Sequence, residues 1–260
     1  MARGTITARL AVVNGRTRLV EHRQSAPLKI ARTFEHEDGG LDICIMDASP
    51  GLLAGDCYEM EWTLEPGARA RITTQGATRV HPSDGLVSMQ QVRISVAEGA
   101  RLEWWPESTI PFRGARFSSR VEAQLGEGAQ LLLFESLSAG RVARGETFEF
   151  GSVTSELSVH DETGPRLFTR NRFAPEQLAP QGAFSWGEAK QFSNLYAFGI
   201  EFQSEQVQSL LDATSIHGGA SILARGDLGV VMLGRRAHDL RCMALEIEGL
   251  LNAAVSRETP

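Results

Sequence analysis

Residues 58–73 read YEMEWTLEPGARARIT, and the alternation in this stretch decides the fold. Tyr58, Met60, Trp62 and Leu64 alternate with Glu59, Glu61 and Thr63. After Glu65-Pro66-Gly67 the alternation resumes, with Ala68, Ala70 and Ile72 set against Arg69, Arg71 and Thr73. A period of two with one wet face is the mark of a half-buried strand. The stretch therefore reads as strand, three-residue turn, strand. Glycine closes the turn because it reaches φ > 0 without a Cβ clash.

The same phrase recurs. Val92, Ile94 and Val96 lead into Ala97-Glu98-Gly99, with Ala100, Leu102 and Trp104 after it. Val121, Ala123 and Leu125 lead into Gly126-Glu127-Gly128, with Ala129, Leu131 and Leu133 after it. A looser fourth copy spans residues 159–168 around Glu162-Thr163-Gly164. Copies about 30 residues apart predict stacked β units that bury one another's faces. The rival is an antiparallel sandwich in which the same turns are three-residue hairpin loops.

Working outward, residues 5–13 and 16–22 flank Asn14-Gly15, a type I′ hairpin signal. SAPLKIARTF, residues 25–34, reads as a loop leading into an apolar segment. Residues 174–194, with Pro175, Pro180, Gly182 and Gly187, predict an irregular loop. In the last third, Ser204 is placed to cap a short helix carrying Val207, Leu210 and Leu211 and stopping near Gly218-Gly219. A strand pair follows over residues 221–233. A second helix begins near Asp239, with Leu240, Met243, Ile247 and Leu250 on one stripe. The expectation is a mainly β protein: one domain over residues 1–260, a solenoid-like body of stacked strands and two short C-terminal helices.

Composition narrows the function. Hydrophobic residues make up 42% and charged residues 22%, enough for a real core. The formal net charge of −6 gives no basic face for displacing counterions from nucleic acid, and disfavours anionic membranes. Three widely spaced cysteines, Cys44, Cys57 and Cys242, argue against a disulfide framework. The N-terminal residues lack the layout of a signal peptide, and no apolar run reaches membrane-spanning length. The expected location is the cytoplasm, with no nucleic-acid or membrane partner.

Catalytic signatures are missing. The chain has no phosphate-binding glycine loop, no dinucleotide fingerprint, no nucleophile elbow, and no CxxC, HExxH or HxH. His81 reads as a loop residue, and Cys44 and Cys57 as small core residues. Trp104 and Trp105, adjacent on a strand, face opposite ways, which suggests one in the core and one at an interface. Asp56, Glu107, Glu135, Glu146 and Glu156 lie at strand ends or in apolar context, where carboxylates serve as hard oxygen ligands or acids.

Four segments in order resemble the UreD/UreH family of urease accessory proteins. They are Pro27-Leu28-Lys29-Ile30 with Arg32 and Phe34; residues 50–56, PGLLAGD, leading to residues 73–78, TTQGAT; residues 102–106, LEWWP; and residues 140–146, GRVARGE. Glu107-Ser108 stands where that family has Gln-Glu. The resemblance implies a β-helical fold and a non-enzymatic role in urease maturation. The implied partners are apo-urease, the helical accessory protein F and the nickel-carrying GTPase accessory protein G. It further implies that Ni²⁺ passes transiently along an internal path, with no tightly bound cofactor. On this reading Asp56, Glu107 and Glu146 are metal-conduit candidates, and Gly55, Thr73, Thr74, Arg141 and Gly145 support them. The alternatives are a protein-binding scaffold without metal transit and a β-solenoid polysaccharide-active enzyme.

Overall fold

The computed structural model describes residues 1–176 and 186–255. Strands β1 (Arg3–Val13) and β2 (Arg16–Ser25) form the N-terminal hairpin, and β3 (Leu28–Glu35) and β4 (Leu41–Asp47) form another. The first turns through Asn14 (φ 52°) and Gly15 (φ 75°), as a type I′ turn requires. The chain then winds. One coil is β5 (Cys57–Leu64), β6 (Arg69–Thr74) and β7 (Thr78–Val80). The next is β8 (Ser88–Val96), β9 (Arg101–Trp105) and β10 (Thr109–Pro111). A third begins with β11 (Arg116–Leu125) and β12 (Gln130–Ser138), and β13 (Ser152–Asp161) starts a fourth.

Each long strand pairs in parallel with its counterpart one coil away. The run β1, β5, β8, β11, β13 builds one sheet, and β4, β6, β9, β12 builds the other. Strands β7 and β10 pair in parallel as a narrow third face. This pairing makes the body a solenoid and excludes the antiparallel sandwich. The turns at Gly67, Gly99 and Gly128, with φ of 71°, 60° and 62°, are corners between sheets rather than hairpin loops. They also stack: the Gly67 N–H donates to the Glu98 carbonyl at 3.0 Å, and Gly99 to Glu127 at 2.9 Å.

The remainder closes the open faces. The supposed fourth repeat is instead the antiparallel hairpin of β13 with β14 (Gly164–Phe173), which ends the first sheet. Strand β15 (Gln191–Phe198) runs antiparallel to β12 and is followed by α1 (Ser204–Asp212), β16 (His217–Ile222), β17 (Leu228–Gly234) and α2 (Ala237–Val255). Several local expectations are corrected. Residues 28–34 lie in β3 rather than a loop, because β4 supplies an antiparallel partner. Of the predicted loop at 174–194, residues 191–194 belong to β15, and 177–185 lie outside the described residues. Gln203 rather than Ser204 occupies the cap of α1, with no side-chain cap bond, and Gly218 and Gly219 belong to β16. Leu251, not Leu250, completes the buried stripe of α2.

Two apolar clusters result. One fills the space between the sheets, drawing on Ile6, Met60, Trp62, Val92, Ile72, Leu102 and Leu131. The other lies between the outer face of the second sheet and the helices, joining Trp105, Leu132, Phe134 and Leu195 to Val207, Leu240, Met243 and Ile247. Trp104 and Trp105 face opposite ways as expected, but neither is at the surface, because the helices cover Trp105. Cys44 and Cys57 are half-buried rather than core.

Candidate functional site

Near the corners the space between the sheets is apolar. Six residues upstream of each corner it turns polar. Parallel registry aligns Tyr58 with Gln90, Gln90 with Ser119, and Ser119 with Ser155 across four successive strands of the first sheet. On the facing sheet, the inward row that begins with Trp104, Leu133 and Tyr196 continues two residues on with Pro106, Glu135 and Asn194. A lane of oxygen and amide groups therefore crosses the coils.

Two cavities lie along this lane. The outer one is lined by Asp47, Tyr58, Thr74, Thr78 and Gln90, with exposed Gln75, Gly76 and Arg79 at its rim. The inner one is lined by Thr78, Gln90, Glu107, Thr109, Ser119, Glu135, Ser155 and Asn194. Thr78 and Gln90 belong to both walls. The inner cavity, about 50 Å³ for water-sized occupants, has room for a few waters or one partly hydrated ion. Phe173 and Phe192 bound its far end, with Trp186 packed edge-on against Phe173 and stacked on Phe192.

Glu135 is the chemically unusual member. Protein surrounds its side chain, and what exposure it has opens into the cavity. Burial pushes its pKa up to about 7, opposed only by the Ser155 hydroxyl, which lies 3.3 and 3.4 Å from the two carboxylate oxygens. Across the strand pair stands Asn194, 2% exposed, whose Oδ1 has no partner among the described residues. Tyr196 is pushed up to about 12, first by burial and then by the charge of Glu135. A buried oxygen and a neighbouring carboxyl that find no donor or cation to pair with among the described residues suit a transient visitor: water, a proton or a hard-ligand cation.

The residues singled out from sequence fall in three places. Glu107 and Thr74 lie together at the lane: the Glu107 N–H donates to Thr74 Oγ1 at 2.9 Å, while the Glu107 carboxylate pairs with Arg241 at 3.2 Å. Thr73 bonds weakly to the Ile43 carbonyl at 3.4 Å. Asp56 is buried in its own loop, where Oδ1 accepts the Ala2 N–H at 2.6 Å and Oδ2 the Leu53 N–H at 3.0 Å. Gly55 turns that loop with φ 80°. Glu146 forms a two-pronged pair with Arg141, which holds its carboxyl below the usual range, and it also accepts the Arg113 N–H at 3.3 Å. Arg141 lies over the Phe112 ring at 4.2 Å, and Gly145 (φ 79°) closes the short turn between them. Ser108 donates to Ser136 at 2.9 Å. The described residues contain no group of three or more His, Cys, Asp or Glu placed to hold a metal.

Sequence reasoning named Glu135 among five acids without ranking it, and passed over Gln90, Ser119, Ser155 and Asn194. A signal existed. Tyr58, Gln90 and Ser119 each stand six residues before the last apolar residue ahead of their copy's turn, so superposing the copies puts polar groups in one inward slot.

Fold and site together define a closed β-solenoid with a polar axial lane and a helical cover. Comparison with known proteins gives the family: the UreD urease accessory protein family matches residues 2–260, and the chain belongs to it. Curated relatives include the urease accessory protein UreD of Deinococcus radiodurans, 39% identical over 67% of this chain and 65% of that protein. UreD of Pseudomonas putida is 33% identical over 84% and 77%. UreH of Helicobacter acinonychis is 24% identical over 94% and 93%. The match to the Deinococcus protein thus spans less than two thirds of that relative's own length. These homologues are named accessory proteins, not enzymes. No described helix is long and apolar enough to cross a membrane.

Proposed function

We propose that this chain is a non-catalytic urease maturation factor. It docks on apo-urease in the cytoplasm and, with accessory proteins F and G, helps deliver Ni²⁺ to the active site. The observation that carries this reading is the axial lane ending at Glu135 and Asn194. Nickel is cargo here, and no resident cofactor is required. Transit needs ligands strong enough to draw an ion in and weak enough to release it. Isolated carboxyl, hydroxyl and amide oxygens meet that need better than a thiolate or imidazole cage, which holds late divalent metals tightly.

Thr74 lines the lane and meets the ion directly in this scheme, while Glu107, whose carboxylate is paired with Arg241, positions Thr74 through its backbone N–H. Asp56 with Gly55, and Glu146 with Arg141 and Gly145, act by holding loops, with Thr73 as strand support. The test is co-production of urease with this chain carrying Ser119→Leu, which fills the lane at its midpoint without touching the outer surface. Delivery through the lane predicts normal association with urease and nickel-poor enzyme. A scaffold that only holds urease open predicts full nickel content.

A further inference from the structure

The two ends of the lane are closed in different ways. Its outer cavity opens past Gln75, Gly76 and Arg79, which are exposed. The far boundary of the inner cavity is made of rings. Phe173 and Phe192 form it, with 5.3 Å between their centroids. Trp186 lies against both, at 5.4 and 5.8 Å, and Phe148 packs edge-on against Trp186 at 5.1 Å. Phe148, Phe173 and Phe192 are only half-buried, and Trp186 is 8% exposed. The barrier is thus a ring cluster that itself reaches the surface, unlike the fully buried leucines at the corner end.

Two features of the backbone let this barrier move. Phe148 has φ 57°, a conformation that bulky residues rarely adopt. The arrangement that packs its ring on Trp186 is therefore strained, which narrows the gap to one that releases it. Trp186 itself begins a tight turn, where the Ala189 N–H donates to the Trp186 carbonyl at 2.9 Å and Gly187 has φ 55°. Pairing with β17 resumes only after that turn, where the Lys190 N–H donates to the Gly234 carbonyl at 2.9 Å. A change at Gly187 moves the Trp186 ring without breaking the pairing of β15, which carries Phe192 and Asn194.

We propose that these four rings are a gated second mouth of the lane, and that Trp186 is the ring that swings. Closed, the apolar constriction excludes water and hydrated ions. Open, it frees the end marked by Glu135 and Asn194, and the ring faces attract a cation that has shed water there. Use of this mouth by nickel rests on the delivery reading above. The swing of Trp186 does not.

Fluorine NMR of the full-length chain labelled with 5-fluorotryptophan reads the swing. The other three tryptophans, Trp62, Trp104 and Trp105, are all 2% exposed or less and serve as fixed references. The expected result is microsecond-to-millisecond exchange in relaxation dispersion at the Trp186 signal, identified by its loss in Trp186→Phe, and none at the references. An exchange-free Trp186 signal overturns the gate. The time course of nickel loading into co-produced urease reads the second half. Urease with the Trp186→Ala chain should reach half loading about threefold sooner than with wild type, because opening no longer limits the rate. An equal or slower course overturns the use of this mouth by nickel. Trp186→Leu, which keeps apolar volume, should shift the course the same way by less, and it decides the question if Trp186→Ala does not fold. If Ser119→Leu leaves loading full while the Trp186 signal still exchanges, the delivery reading has failed and the gate stands.

Discussion

The two ends of the space between the sheets are built by the same strands with the same alternation, yet their chemistry is opposite. At the corner end stand Leu10, Leu64, Val96, Leu125, Leu102 and Leu131, all 2% exposed or less. At the other end the same rows present Tyr58, Gln90, Ser119, Ser155, Glu135 and Asn194. The first arrangement stabilises, since each buried aliphatic side chain contributes about 1.5–3 kcal/mol. The second costs, since a buried polar group with incomplete hydrogen bonding loses about 1–3 kcal/mol. A solenoid needs only the first. Polar groups kept in register through four strands therefore point to use rather than to folding.

Substitutions at the two ends should separate stability from function. The largest stability loss is expected at the apolar end: Trp62→Ala empties a fully buried site and should cost about 3–5 kcal/mol in denaturant unfolding. A loss below about 1 kcal/mol would mean that this end is not the stabilising core.

At the polar end the effect should depend on pH, and its sign follows from Glu135. Its folded-state pKa, about 7, lies above the ordinary value of 4.5, so between those pH values the folded protein keeps a proton that the unfolded chain releases. Stability from this group is therefore fully present below the lower value and falls as pH rises through the upper one. The loss amounts to roughly 3 kcal/mol. Glu135→Gln should flatten that slope and make the protein more stable than wild type at pH 8. Equal pH profiles for the two chains would remove Glu135 from the buried neutral state.

A smaller effect is expected at Asp56, outside the lane. Asp56→Ala leaves two backbone N–H groups without their acceptor, at about 1–3 kcal/mol. The change should appear as faster hydrogen exchange around Leu53, with cavity residues unaffected. Exchange that spreads to Gln90 or Ser119 would couple the loop to the lane and blur the contrast.

These differences also mark what the sequence makes legible. The strand and corner pattern at residues 58–73 and its two good copies specify the coils, because alternation and a φ > 0 glycine are local properties. The apparent fourth copy misleads because a β-turn glycine serves a hairpin as well as a corner. Only the pairing of the strand that follows distinguishes them: β14 folds back antiparallel on β13 instead of crossing to the facing sheet, and that choice is set by tertiary packing rather than by the local pattern. The helix boundaries drift for a similar reason: β17 draws Gly218 and Gly219 into a strand. At the site, motif residues stand out one by one, whereas the lane exists only after parallel stacking brings Gln90, Ser119 and Ser155 into one row. Asp56 and Glu146 attract notice as isolated acids, yet both have their oxygens occupied by neighbours.

The most direct test of the account is the nickel content per active site of urease co-produced with the Ser119→Leu chain, after co-purification has shown that the two still associate. The account predicts bound but nickel-poor urease, against full loading with the wild-type chain. Full nickel content with Ser119→Leu would contradict it, leaving the polar lane without a part in delivery.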